Sequence, residues 1–163
     1  MKLKRLPATI GLLALVPLAA TAVTACSSGG ATSSAPQAAK TLILSADTVM
    51  SGTCVLSNQF KAGDTITFRI KVYDPTTGQT MDDKALKNVS IGFGSQKLDA
   101  AYSGHPGGAS ATPTDHFWAY CWKVPAGYPT GALNYQITAT ANDGRTGTFS
   151  EFNVAPSLVT ITQ

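Results

Sequence analysis

The chain has 163 residues, 44% of them hydrophobic, with 12 Lys and Arg against 9 Asp and Glu and a formal net charge of +3. Three of the basic residues, Lys2, Lys4 and Arg5, stand at the N-terminus, and every acidic residue lies beyond residue 25, so the remainder carries nine charges of each sign. A neutral, evenly mixed chain lacks the clustered Lys and Arg that a nucleic-acid backbone calls for, and it has no polybasic patch for anionic lipid.

After the basic start comes an apolar core from Ile10 to Val23, and then Val23-Thr24-Ala25-Cys26. This is the layout of a secretory signal. The run is interrupted by Pro17 and is short for a membrane span. Val23-Thr24-Ala25-Cys26 resembles the lipobox of bacterial lipoproteins, in which a branched and two small residues precede a cysteine. The resemblance implies cleavage before Cys26, S-diacylglycerylation of Cys26, and a membrane anchor made of lipid alone. The protein is then expected to be exported, attached to the cell membrane or outer membrane, with its folded part in the periplasm or at the cell surface. Ser27 replaces the aspartate associated with inner-membrane retention, which leaves the outer membrane and a Gram-positive surface both open.

Residues 1–25 are therefore expected to be a signal peptide. Residues 26–40, rich in Ser, Gly and Ala with no apolar period, read as the lipidated cysteine and a flexible tether. Residues 41–163 have the length of one ordinary domain with a real core.

In that domain alternation dominates. Ile66, Phe68, Ile70 and Val72 fall on one face of residues 65–73, with Thr67, Arg69 and Lys71 on the other. Leu133, Tyr135, Ile137 and Ala139 alternate in the same way with Asn134, Gln136 and Thr138. Period two with one polar face predicts half-buried antiparallel strands. Turn clusters flank them at 62–64, 74–78, 128–131 and 142–144, and Asp143-Gly144 is the strongest hairpin signal. Further strands are expected at 42–50, 53–57, 89–93, 116–123, 148–154 and 158–162, with room for a helical turn only at 82–87. Seven or eight short strands in such a length predict an all-β antiparallel sandwich.

Gly131 to Ala141 with Asn142-Asp143-Gly144 resembles the penultimate strand and hairpin of bacterial immunoglobulin-like domains. Asn58-Gln59-Phe60 with Gly63-Asp64 and Asp74-Pro75-Thr77-Gly78 is similar to the earlier strand-turn-strand of secreted proteins of that kind. The resemblance implies a fold and no activity. It also implies a bridge between Cys54 and Cys121, whose separation of 67 positions is like that joining the two sheets of an immunoglobulin domain. In the chain-entropy view such a bridge stabilises by about 4 kcal/mol. The tryptophans depart from the family, because Trp118 and Trp122 flank the second cysteine.

The strand 116–123 leaves two arrangements open. Alternation places His116, Trp118, Tyr120 and Trp122 on one face and Phe117, Ala119 and Cys121 on the other. With Cys121 inward, Trp118, Tyr120 and Trp122 form an exposed aromatic platform for a sugar ring or a protein strand. With the aromatics inward, they are the largest contribution to the core and Cys121 faces out.

Residues 102–115 show no strand pattern and read as a long loop. It contains His105 and leads into Asp115 and His116, a weak candidate metal set whose bland counterpart is a connection with incidental histidines. Asp74, Asp82 and Asp83 read as turn aspartates rather than calcium ligands. No histidine follows Cys121 and no methionine follows Met81, which excludes a blue-copper site, and no Cys-x-x-Cys-His attaches haem. There is no Gly-x-Ser-x-Gly elbow and only one glutamate, Glu151. The expectation is a non-enzyme without cofactor, a membrane-anchored binding or structural module with an envelope protein or a glycan as partner, including as an accessory subunit of an exported complex.

Overall fold

The computed structural model describes residues 41–108 and 111–163. The signal, lipidation and tether readings at 1–40, Cys26 included, lie outside the described residues. Eleven strands follow in chain order: β1 (Ile43–Met50), β2 (Gln59–Lys61), β3 (Thr65–Tyr73), β4 (Leu86–Phe93), β5 (Gln96–Asp99), β6 (Ala101–His105), β7 (Asp115–Lys123), β8 (Gly131–Ala132), β9 (Gln136–Ala141), β10 (Thr146–Ser150) and β11 (Thr160–Thr162). A 3-10 turn at Ala155–Ser157 is the only helical segment among the described residues.

Two four-stranded antiparallel sheets, β1-β3-β7-β6 and β10-β9-β4-β5, enclose the core as a β-sandwich. A small third sheet, β2-β11-β8, holds the C-terminal strand and contains one parallel pair, β11 with β2. The strands outnumber the seven or eight expected because several are only two to four residues long.

β3 is the clearest product of alternation. Ile66, Phe68 and Ile70 are 0% exposed, and the intervening Thr67, Arg69 and Lys71 face out. Opposite them stand Val89 and Ile91 of β4 and Ile137 and Ala139 of β9, also fully buried. Aromatic rings join the sheets: Phe68 meets Tyr135 edge-on at 5.0 Å, and Phe93 stacks on Trp122 at 4.9 Å. Such pairs add to the stabilisation from buried area.

The strand expected at 132–141 divides. Gly131–Ala132 belongs to the small sheet, residues 133–135 cross over, and β9 begins at Gln136. The inward alternation of Leu133, Tyr135, Ile137 and Ala139 survives the change of sheet. The Asn142-Asp143-Gly144 hairpin forms as read, with Gly144 in the left-handed region at φ 87 and Ala141 N–H donating to Arg145 O at 2.8 Å. Residues 53–57 give only a bridge, Val49 with Leu56, and residues 82–87 give a turn capped by Asp82 rather than a helix. The first part of the expected 102–115 loop is strand β6, paired with β7. Its sequence, Ala-Tyr-Ser-Gly-His, has too few apolar residues to show a period.

β1 and β10 are edge strands of opposite sheets. They meet where Leu42 N–H donates to Thr146 O at 3.0 Å. Gly147 makes this approach feasible, since a Cβ there would lie 2.6 Å from Leu44 Cδ1 and would also meet Leu42 backbone. Beside the junction Arg145 ties the hairpin to the end of β3, donating to Asp74 Oδ2 at 2.8 Å and to Asp143 Oδ2 at 2.7 Å. That guanidinium is the main reason Asp74 is pulled down to about 2. Gly147→Ala is expected to lower the unfolding free energy by about 1–3 kcal/mol, as overpacking does, measured by urea denaturation. An unchanged midpoint would show that the edges separate freely.

Candidate functional site

From their junction β1 and β10 diverge, and the opening between them is a groove of about 510 Å³. Ala46 and Thr48 form one wall and Phe149 and Glu151 the other, with Tyr135 at its inner side. Its far end is built by two turn segments bound to each other, where Asn58 Nδ2 donates to Pro156 O at 2.9 Å and Thr160 N–H donates to Asn58 O at 2.7 Å. Thr48 is buried because its hydroxyl donates to Ser57 O at 2.6 Å, which folds residues 55–57 against the end of β1.

The rim is apolar. Leu56 and Phe152 line the opening at 65% and 79% exposure, and Val55 and Val154 stand near them in the chain, exposed as well. Only one other large hydrophobic residue, Ile43, is comparably exposed among the described residues. Clustering of this kind marks interaction surfaces, whereas single exposed apolar residues are ordinary.

Inside the groove Glu151 accepts hydrogen bonds from Tyr135 Oη at 3.0 Å and from Val159 N–H at 3.1 Å. Burial raises the carboxyl above the ordinary glutamate range, against the opposing effect of these two donors. Burial, followed by the Glu151 charge, also pushes the Tyr135 hydroxyl far up, so it stays protonated and donates. This pair gives an apolar site a fixed polar anchor, the usual composition of a binding cleft.

The residues singled out in the sequence lie elsewhere. Trp118 and Trp122 are 7% and 8% exposed and Tyr120 packs half-buried against the core, so the exposed aromatic platform is corrected to an inward face. The physical reason is area: these rings fill the space between the sheets, and Trp118 Nε1 still finds Met81 O at 3.3 Å. Cys121 consequently faces outward, beside Thr67 Oγ1 at 3.4 Å. Cys54 sits in the turn after β1, and both thiols are free and exposed. The Cys54–Cys121 bridge implied by the family resemblance is therefore absent from this structure. With the aromatics inside, Cys121 points away from the other sheet.

The weak metal set is split by strand register. His105 is directly opposite Asp115, and Gly104 is opposite His116, so His105 and Asp115 share the outer face while His116 takes the inner one. The His116 ring stacks on Tyr102 at 5.7 Å. Asp115 is occupied by Lys71 at 2.6 Å, and that hydrogen bond is the main cause of its lowered pKa. Nearby, Arg69 grips Asp47 with two bonds of 2.7 and 2.8 Å and lies over the Phe117 ring. Among the described residues no three His, Cys, Asp or Glu gather into a metal-sized group.

A scan against protein-family models and a search of curated proteins each returned no match.

Sequence reading missed the groove. Its walls come from β1, β10 and two turn segments distant in the chain, and its rim residues fall in two expected strands, 53–57, which gives only a bridge, and 148–154, of which β10 ends at Ser150. The one accessible signal was Glu151, the sole glutamate, set between Phe149 and Phe152.

A folded-state pKa above the unfolded one means that the group's contribution to stability is full below the unfolded value and lost as pH rises through the folded value. The unfolding free energy is thus expected to fall across the mildly acidic range as Glu151 ionises. Glu151→Gln is expected to flatten that decline in urea titrations run pH by pH. Equal slopes in the two proteins would remove Glu151 as the cause.

Proposed function

We propose that this chain is an exported envelope lipoprotein, anchored through lipid on Cys26, whose immunoglobulin-like β-sandwich is a non-catalytic module that binds a partner protein. The observation that carries the binding role is the groove between β1 and β10 with Leu56 and Phe152 exposed on its rim. An apolar rim in water is a cost that an exported domain recovers when a partner covers it. The groove's polar pair is already satisfied internally, which suits adhesion rather than chemistry. The anchoring role is supported by the basic start, the apolar run and Val23-Thr24-Ala25-Cys26. A short tether of small polar residues then lets the module reach a partner in the same envelope.

Labelling of cells producing the full chain with radioactive palmitate is expected to mark the protein, and Cys26→Ser is expected to abolish the label and release the protein from membranes. Label retained by Cys26→Ser would refute the anchor. A photoreactive residue at position 56 or 152 is expected to give one discrete protein adduct in intact cells, lost when the other rim residue becomes Asp. The same reagent at position 97, on a strand away from the groove, is expected to give none; equal adducts at all three positions would defeat the binding surface.

A further inference from the structure

We propose that a second cleft, around the turn between β4 and β5, binds a neutral glycan through Ser90, Trp122 and the amide and hydroxyl side chains beside them. The proposal stands apart from the partner-binding reading, since it concerns other residues and another ligand.

Two concavities meet at that turn. One, of about 320 Å³, lies on the outer face of the second sheet, over Ser90 and Gly92 of β4 and Gln136, Thr138 and Thr140 of β9. The other, of about 330 Å³, is lined by Phe93, Trp122, Tyr128, Thr130 and Asn134. Gly94 and Gln96 line both, so the two adjoin there. Each falls in the ~300–1,000 Å³ range of small-molecule sites.

Two nearly buried polar groups open into this cleft. Ser90 is 3% exposed and Trp122 8%. Among the described residues neither the Ser90 hydroxyl nor Trp122 Nε1 has a hydrogen-bond partner, whereas Trp118 Nε1 donates to Met81 O. Neither is shut off from water, because no fully enclosed polar side-chain atom among the described residues is left unpaired. Each therefore reaches solvent through the concavity that its residue lines. Polar groups this deep are ordinarily paired within the protein, and a hydroxyl entering the cleft would pair them. Phe93 stacks on the Trp122 ring and Tyr128 meets it at 82°, so the indole contributes its N–H and not an open face.

A glycine sets the floor. Gly92 stands in mid-strand, opposite Gln136 on one side and Lys97 on the other. Glycine weakens a strand and often marks the close approach of a ligand. Packing does not demand it here, since a Cβ would meet nothing nearer than Gln136 O at 3.7 Å.

The lining selects the ligand. Lys97 is its only charged residue, and its polar groups are amides such as Gln96 and Asn134 and hydroxyls such as Ser90, Thr130 and Thr138. Amides and hydroxyls both donate and accept, which matches the hydroxyls of a neutral sugar. A phosphate or an acidic polymer calls for clustered cations. An extended peptide pairs with a free strand edge, and β4 is already paired on both sides. From Asn88 to Gly94 the cleft follows about 20 Å of strand, a length for an oligosaccharide rather than a single ring.

The test uses the full chain carrying Cys26→Ser, labelled with nitrogen-15 and titrated with cellohexaose, maltohexaose, xylohexaose and chitohexaose. At least one is expected to shift the Trp122 indole N–H resonance and leave that of Trp118 in place. Gly92→Val is expected to weaken binding about tenfold or more without lowering the urea midpoint, and Ser90→Ala to weaken it about tenfold. No binding by any of the four at millimolar concentration would overturn the proposal, as would equal affinity in both variants or shifts confined to residues outside the cleft. Tighter binding of hexagalacturonate than of every neutral sugar would assign the cleft to an acidic polymer. A Trp122 shift caused by a Ser/Thr hexapeptide and by no sugar would assign it to protein; both refute the glycan. The rim adducts at positions 56 and 152 are expected to survive Gly92→Val, which separates the two sites.

Discussion

Everything in this domain is arranged around β3. Its inward residues are buried almost completely, its outward ones are polar, and its neighbours β1 and β7 are registered against it residue by residue. At about 25 cal/mol per Å² of apolar area removed from water, a stripe of Ile, Phe, Ile and Val is the sort of contribution that decides register. A slip of one residue would turn Arg69 and Lys71 into the core. Because register is fixed there, Cys121, Thr67 and Ala119 must face solvent and Trp118 and Trp122 must not.

That constraint shows why the strands were legible and the site was not. Period-two alternation is a local signal, and it located β3, β7 and β9 and the Asp143-Gly144 hairpin from residues adjacent in the chain. It also limited strand 116–123 to two arrangements, of which burial selected the inward aromatics. Short strands such as β5 and β6 escaped, since Gln-Lys-Leu-Asp and Ala-Tyr-Ser-Gly-His carry little apolar contrast and exist because a long neighbour offers them a ladder. The groove is less local still. It arises from where two sheets part, and Ala46, Leu56, Tyr135 and Phe152 approach it from four separate segments.

The outer face of the first sheet and the groove differ in kind. On the outer face every charge named above has found its opposite: Asp47 with Arg69, Lys71 with Asp115. Exposed pairs of this sort contribute little to stability, but they leave a neutral, hydrated wall. The groove has the reverse character, apolar at its rim, where Leu56 and Phe152 are exposed. The exposed apolar residues thus gather on the flank that carries the groove, while the outer face of the first sheet is charged and paired.

The antiparallel register of β1 with β3 has a mechanical meaning. β1 is paired with β3 over its whole length, from Ile43 opposite Tyr73 to Met50 opposite Ile66. The chain enters at Thr41, and the groove lies alongside the same strand. Force applied along β1 therefore runs parallel to the strand, across bonds that stand perpendicular to it. Those bonds are strained together in shear rather than opened one at a time like a zip.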